Sequence, residues 1–263
     1  MWGFKVQVKS ERVQQRAARY YLGVHPKTPI PALTGDMGWK CTQQKRYSKM
    51  IKYWNRLVKM NDNRLTKQVF IADKNLCKAN WSSEVRSLCI DTGINPTFDT
   101  IQINELEFET KMSEQFNVKW KESLKTKPKL RTYVTFKETL KTEQYTQFCK
   151  SRRKRSLLAQ FRMGILPIAI ETGRFKSEPI EERICKLCDI NAVEDEMHML
   201  CLCDLYSDTR HIMYNNVTQR CDNFNNLNVV DKFVYLMSNE FKEVANFLDK
   251  AWDIRTKKLY VNK

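Results

Sequence analysis

A chain of 263 residues with 42% apolar side chains can bury the core of one large or two modest domains. Its 46 Lys and Arg face 30 Asp and Glu, a formal charge of +16, so a polyanionic partner is expected, nucleic acid ahead of anionic membrane. No run of about 18 apolar residues is present, and the N-terminal stretch lacks the apolar centre of a signal peptide. These features argue against a membrane-spanning helix. They predict an intracellular protein, in the nucleus or in a cytoplasmic ribonucleoprotein.

Seven glycines and seven prolines punctuate a chain whose apolar spacing is mostly helical, so the expected fold class is all-α, with few strands if any. Residues 10–23 read as a helix capped by Ser10 and stopped at Gly23, with Val13, Ala17, Tyr20 and Tyr21 on one face. The following stretch to Gly38 holds three prolines and two glycines and reads as a loop. Helical period resumes over residues 43–60, where Tyr47, Met50, Ile51, Trp54, Leu57 and Val58 alternate with Lys45, Lys49, Lys52, Arg56 and Lys59. That pattern suits a solvated lysine-rich face or a phosphate-contacting one. Two short helices follow, with Asp62 and Ser82 as caps, and then a longer helix from Asn104 that Pro128 ends.

The densest positive charge comes next. Lys150, Arg152, Arg153, Lys154 and Arg155 precede an apolar helical stretch at Leu157, Leu158, Phe161, Ile165 and Leu166, with Arg162 inside it. A block this compact repels itself unless anions bind it, which favours nucleic-acid contact over a nuclear-import signal or a merely solvated helix start. The C-terminal forty residues read as two amphipathic helices whose Phe, Val, Leu and Trp residues form core.

Charge is unevenly distributed. The net value is +13 over residues 1–80, −5 over 81–110, +12 over 111–176 and −4 over 177–263. The sign change near 176 suggests two domains, 1–176 basic and helical, 177–263 acidic.

The acidic part contains the chemistry. Of nine cysteines, Cys185, Cys188, Cys201 and Cys203 crowd into nineteen residues around His198, whereas Cys41, Cys77, Cys89 and Cys149 lie far apart. Reduced thiols at such spacing favour a metal over a disulfide framework. Cys185-x2-Cys188 is a knuckle that grips one ion, and His198 with a cysteine shortly after it completes four soft or borderline ligands, a set suited to structural Zn2+ with no open position. Cys201 and Cys203 point about 200° apart on a helix, so one site uses one of them, and spacing alone does not choose. Between 177 and 208 there are 9 acids against 2 bases, so this segment is poorly disposed to meet phosphates. It is expected to brace the fold or dock on the basic helices. Consecutive Glu194, Asp195 and Glu196 point different ways on any regular backbone and make a poor catalytic set.

The stretches "ERVQQRAARYYLGVHPKTPIPALTGDMGW", "YWNRLVKMNDNRLTKQVF", "NWSSEV" and "RRKRSLLAQFRMGILPIAIETGRF" with "ICKLC" and "VEDEMHMLCLC" resemble the region C-terminal to the reverse transcriptase domain of non-LTR, LINE-type retrotransposon polyproteins. The likeness runs over residues 9 to 210. In that family four residues separate the histidine from the last metal ligand, so the resemblance implies Cys185, Cys188, His198 and Cys203. It implies further a helical thumb and linker that grips RNA or DNA, RNA ahead of DNA, beside a zinc element. No Tyr-x-Asp-Asp motif and no Asp-Asp pair occurs, and polymerisation needs paired carboxylates on two metals. The chain is therefore expected to be a non-catalytic fragment that binds nucleic acid through the Arg152 to Arg155 block with Lys150, Arg162 and the Lys45 to Arg56 face. No small-molecule substrate is expected. The competing expectation is a structural or protein-interaction fragment whose partner is a polymerase domain, or a decayed remnant without activity.

Overall fold

A computed structural model describes residues 8–76, 79–94 and 102–260. The fold is all-α, as the periodicity predicts. Among the described residues β-pairing amounts to one isolated antiparallel bridge, Ile184 with Val193. The chain divides into two units, one of residues 1–14 with 40–120 and one of residues 15–39 with 121–263. The division does not fall at 176, where the charge changes sign. Residue 176 lies inside the second unit because helix Arg152–Arg162 before it packs on helix Phe241–Tyr260 far after it; the charge step marks a change of surface, not of packing.

The first unit is built on α3 (Thr42–Val58), following α1 (Val8–Leu22) and α2 (Ile30–Met37) in the chain. Cys41 caps α3: its sulfur accepts Gln44 N–H at 3.4 Å, and Gln44 Oε1 accepts Cys41 N–H in return. Met50, Ile51, Trp54 and Leu57 recur every three or four residues and are buried, as predicted. They meet Phe70 of α4 (Leu65–Asn75), Val85 and Leu88 of α5 (Trp81–Asp91), and Phe108 and Met112 of α6 (Glu105–Lys125). Phe70 stands edge-on to Trp54, centroids 5.0 Å apart. Two polar devices fix the joints. Buried Lys67 donates to the Leu57 and Val58 carbonyls and closes the C-terminus of α3. Asn55 pins Ile103 by exchanging hydrogen bonds of 2.8 and 2.9 Å with its backbone. The caps differ from expectation: Asp62 and Ser82 give way to Arg64 and Asn80, and the Asn80 Oδ1 accepts Ser83 N–H at 2.8 Å.

In the second unit the later part of the predicted loop before Gly38 is α2. Pro29 precedes its first turn and Pro31 lies within it, where no intrahelical N–H is needed, and Gly38 ends it in the left-handed region with φ +59. Two of the three prolines thus start a helix rather than prevent one, while Pro26 lies in the turn before it and residues 24–29 stay non-helical as expected. The face of α1 is also rotated from the prediction, with Ala18 and Leu22 buried while Val13, Tyr20 and Tyr21 are exposed.

After α7 (Tyr133–Phe136) and α8 (Tyr145–Phe148) come α9 (Arg152–Arg162) and α10 (Ala169–Phe175), then α11 (Ser207–Thr218), α12 (Val229–Asn239) and α13 (Phe241–Tyr260). The last two are the amphipathic C-terminal helices expected, and α13 packs on α9, α11 and α12.

Candidate metal centre

Residues 183–194 form a small hairpin. Cys185 N–H donates to Ala192 C=O and Glu194 N–H to Arg183 C=O, both at 2.9 Å, and Asn191 takes φ +55 near the turn. The hairpin carries Cys185 and, in its tip, Cys188. Asp195 then accepts His198 N–H at 2.7 Å and opens the next turn.

That turn, His198–Leu202, is a π-helix, and Cys203 N–H donates to the His198 carbonyl at 2.8 Å. Five residues along an α-helix would place His198 and Cys203 about 140° apart; the widened turn brings them to one side. Cys185, Cys188, His198 and Cys203 consequently offer four ligand atoms within 4.8 Å of one another. Cys185 Sγ lies 3.9 Å from Cys203 Sγ, and Cys188 Sγ lies 3.4 Å from His198 Nε2. The cluster could hold one metal ion. Cys201, left open by spacing, turns instead toward Tyr214 of α11, with burial raising its thiol to about 11.

The thiols form a hydrogen-bonded pair: sharing a proton with Cys203 and then burial push Cys185 up to about 12, and the same contact pulls Cys203 down. An ion that takes up both as thiolates displaces that proton.

Glu194, Asp195 and Glu196 do not converge. Glu194 is buried against Arg255 of α13 and accepts Ala169 N–H at 2.7 Å; Asp195 caps the π-turn; Glu196 pairs with Arg131, while burial raises its carboxyl. From α11, Arg210 donates to the Leu200 carbonyl at 3.0 Å and to that of Cys203. Arg131, Arg210 and Arg255 therefore hold the segment carrying the ligands, and sequence reading missed all three: Arg131 and Arg255 lie 65 and 61 residues from Glu196 and Glu194, and Arg210, though near in sequence, bonds to backbone carbonyls, which leave no side-chain pattern.

The cations singled out by sequence fall into three groups. Lys45, Lys49, Lys52, Arg56 and Lys59 are exposed along α3 at spacings of four, three, four and three residues. Lys150, ahead of α9, and Arg152 on it are exposed, but Arg153 Nε lies 2.8 Å from Asp249 and also meets Asp253, and Lys154 reaches Asn246 Oδ1 at 2.7 Å. Arg155 donates to the Tyr21 and Cys149 carbonyls at 3.0 and 2.7 Å.

Arg162 requires correction: it is 1% exposed and cannot reach a polyanion. Its guanidinium forks onto Asp36 at 3.0 and 3.1 Å, with Tyr133 and Tyr145 donating to the same carboxylate at 2.8 and 2.7 Å.

Comparison of the chain with protein-family models, curated proteins and solved structures finds no match in any of the three. What the fold and site define is an all-α chain with a four-residue Cys/His cluster that could hold one metal ion. Among the described residues no helix is long and apolar enough to cross a membrane.

Proposed function

We propose that this chain is a zinc-stabilised, non-catalytic nucleic-acid-binding fragment of the LINE type, with RNA preferred to DNA. The observation that supports it best is the α3 stripe, five exposed cations in register along about 21 Å of helix. Its opposite side is core, so these charges have a fixed backbone to project from, and neutralising phosphates with them releases counterions.

Zinc is the ion the cluster fits best. Tetrahedral Zn2+ with bonds of about 2.3 Å to sulfur and about 2.0 Å to nitrogen sets ligand edges of about 3.8 Å between sulfurs and about 3.5 Å from sulfur to nitrogen. Two of the separations here are 3.9 and 3.4 Å, and all four ligand atoms lie within 4.8 Å of one another. Three cysteines and one histidine form a closed structural set in which no position is left for substrate. The protein residues hold the ion; the ion ties the hairpin to the π-turn.

A second reading, a protein-interaction fragment that docks on a reverse transcriptase domain, is favoured by α4. Leu65, Val69, Ala72 and Leu76 share one face and are all exposed, Leu65 by 75%.

Native mass spectrometry of the reduced chain, with and without a short structured RNA, tests the first reading. One zinc per chain and an RNA affinity that falls steeply with salt are expected. Salt-independent affinity, or a metal-free chain that self-associates through α4, would overturn it in favour of the second.

A further inference from the structure

The C-terminal end of α1 is clamped to α9 by hydrogen bonds onto its last carbonyls. Arg155 Nε donates to Tyr21 C=O at 3.0 Å, and Ser156 Oγ and Gln160 Nε2 donate to Gly23 C=O at 2.7 and 3.0 Å. Gly23 has φ +63, and a Cβ there would stand 2.6 Å from Ser156 Oγ, so the approach of the two helices depends on glycine.

Two consecutive tyrosines sit on this clamp and are used differently. Tyr21 is engaged at both ends, its ring 4.3 Å from the Arg155 guanidinium and its hydroxyl donating to the Thr146 carbonyl. Tyr20 is 74% exposed, with the Arg152 guanidinium 5.0 Å from its ring centroid. Arg16, one turn earlier on α1, and Lys150, ahead of α9, are exposed cations.

We infer that Tyr20 and Arg152 form a stacking platform for an unpaired base of a single-stranded nucleic acid. The inference rests on the nucleic-acid reading above and adds the form of the ligand. An exposed ring backed by a guanidinium and accompanied by cations matches what a nucleotide presents, a π-face joined to a phosphate. A duplex keeps its base faces stacked and hidden, so the platform selects unpaired strands. The clamp holds Tyr20 in place before binding, so little ordering cost accompanies stacking.

The experiment is fluorescence anisotropy of the full chain with a labelled single-stranded RNA and with its duplex, at one fixed salt concentration. Tyr20→Ala should weaken single-strand binding about tenfold and duplex binding by less than about twofold, while Tyr20→Phe retains both. Tyr260→Ala removes a similarly exposed ring at the end of α13 and should change neither. Circular dichroism confirms that each variant keeps its helices. If the parent binds RNA in a salt-sensitive way but Tyr20→Ala binds the single strand equally well, the platform is overturned and the nucleic-acid reading stands. Equal losses on single strand and duplex also overturn it. A parent that binds neither RNA overturns both readings.

Discussion

Glu194 links the metal-binding segment to the C-terminal helix: its Oε1 lies 3.8 Å from Cys185 Sγ, while the carboxylate is paired with the guanidinium of Arg255, Nη2 3.0 Å from Oε2. Both partners are buried. The acidic segment is thus tied to α13 by one ion pair, and to the stretch before α7 by a second, Glu196 with Arg131.

Removing one member of the first pair strands the other. Arg255→Met should lower stability by about 3 kcal/mol, because a carboxylate is left without its counter-charge in the interior. Arg153→Ala, which breaks an exposed pair on the same helix, should cost about 1 kcal/mol or less. Urea denaturation midpoints measure both, and equal costs would show that the Glu194 pair is not the joint described.

The Asp36 and Arg162 pair predicts a dependence on pH. Burial works to raise the Asp36 carboxyl, but Arg162, Lys137 and Tyr145 outweigh it and hold the pKa below the ordinary value. With the folded pKa lower than the unfolded value of about 3.9, the stabilisation is complete above that pH and lost as pH falls through the folded pKa. Arg162→Met alone should cost about 3 to 5 kcal/mol, whereas Asp36→Leu with Arg162→Met should cost less and flatten the acid limb of stability against pH. An unaltered acid limb in the double variant would refute the assignment.

The fourth metal ligand gives a sharper test, since two cysteines two residues apart are predicted to behave oppositely. Cys203→Ser should abolish stoichiometric zinc and lower the unfolding temperature, because metal-binding free energy in such sites is folding free energy. Cys201→Ser, whose thiol faces Tyr214, should retain one zinc. Metal content by mass spectrometry decides, and loss of zinc from Cys201→Ser would reverse the ligand assignment.

What could be read from residues alone was whatever depends on local spacing. The buried stripe of α3, the two C-terminal helices and the grouping of Cys185, Cys188 and His198 with a cysteine just after it all follow from intervals of one to ten residues, whereas the choice of Cys203 over Cys201 came from the family resemblance and not from spacing. Two of the misses come from long-range partners and one from local turn chemistry. Arg162 stood in the basic block by composition, yet its position is determined by Asp36, 126 residues earlier. Val13, Ala17, Tyr20 and Tyr21 looked like a core face of α1, but Tyr20 and Tyr21 are partnered by guanidiniums of α9 rather than by apolar side chains. The prolines of α2 misled because a helix start tolerates them where a helix interior does not.

The same reasoning divides the basic residues by how far their charge is already spent. On α9, Arg153 and Lys154 are held by Asp249, Asp253 and Asn246, so part of the block that looked most concentrated in sequence is neutralised within the protein. On α3, Lys45 and Arg56 project from an exposed face, and Lys52 approaches Glu109 only at 3.9 Å. Replacing Lys45, Lys52 and Arg56 by Gln should therefore lower RNA affinity and reduce the slope of log affinity against log salt by about 2 to 3, since each phosphate contact contributes about 0.7 to 0.9. Arg153→Gln with Lys154→Gln should reduce the slope by less than about 1, and should leave bound zinc unchanged, because neither side chain touches the ligand segment. Salt titrations of the two variants against the parent compare the helices directly: a larger loss of slope from the α9 pair would move the nucleic-acid surface from α3 to α9 and show that its carboxylate partners release it on binding.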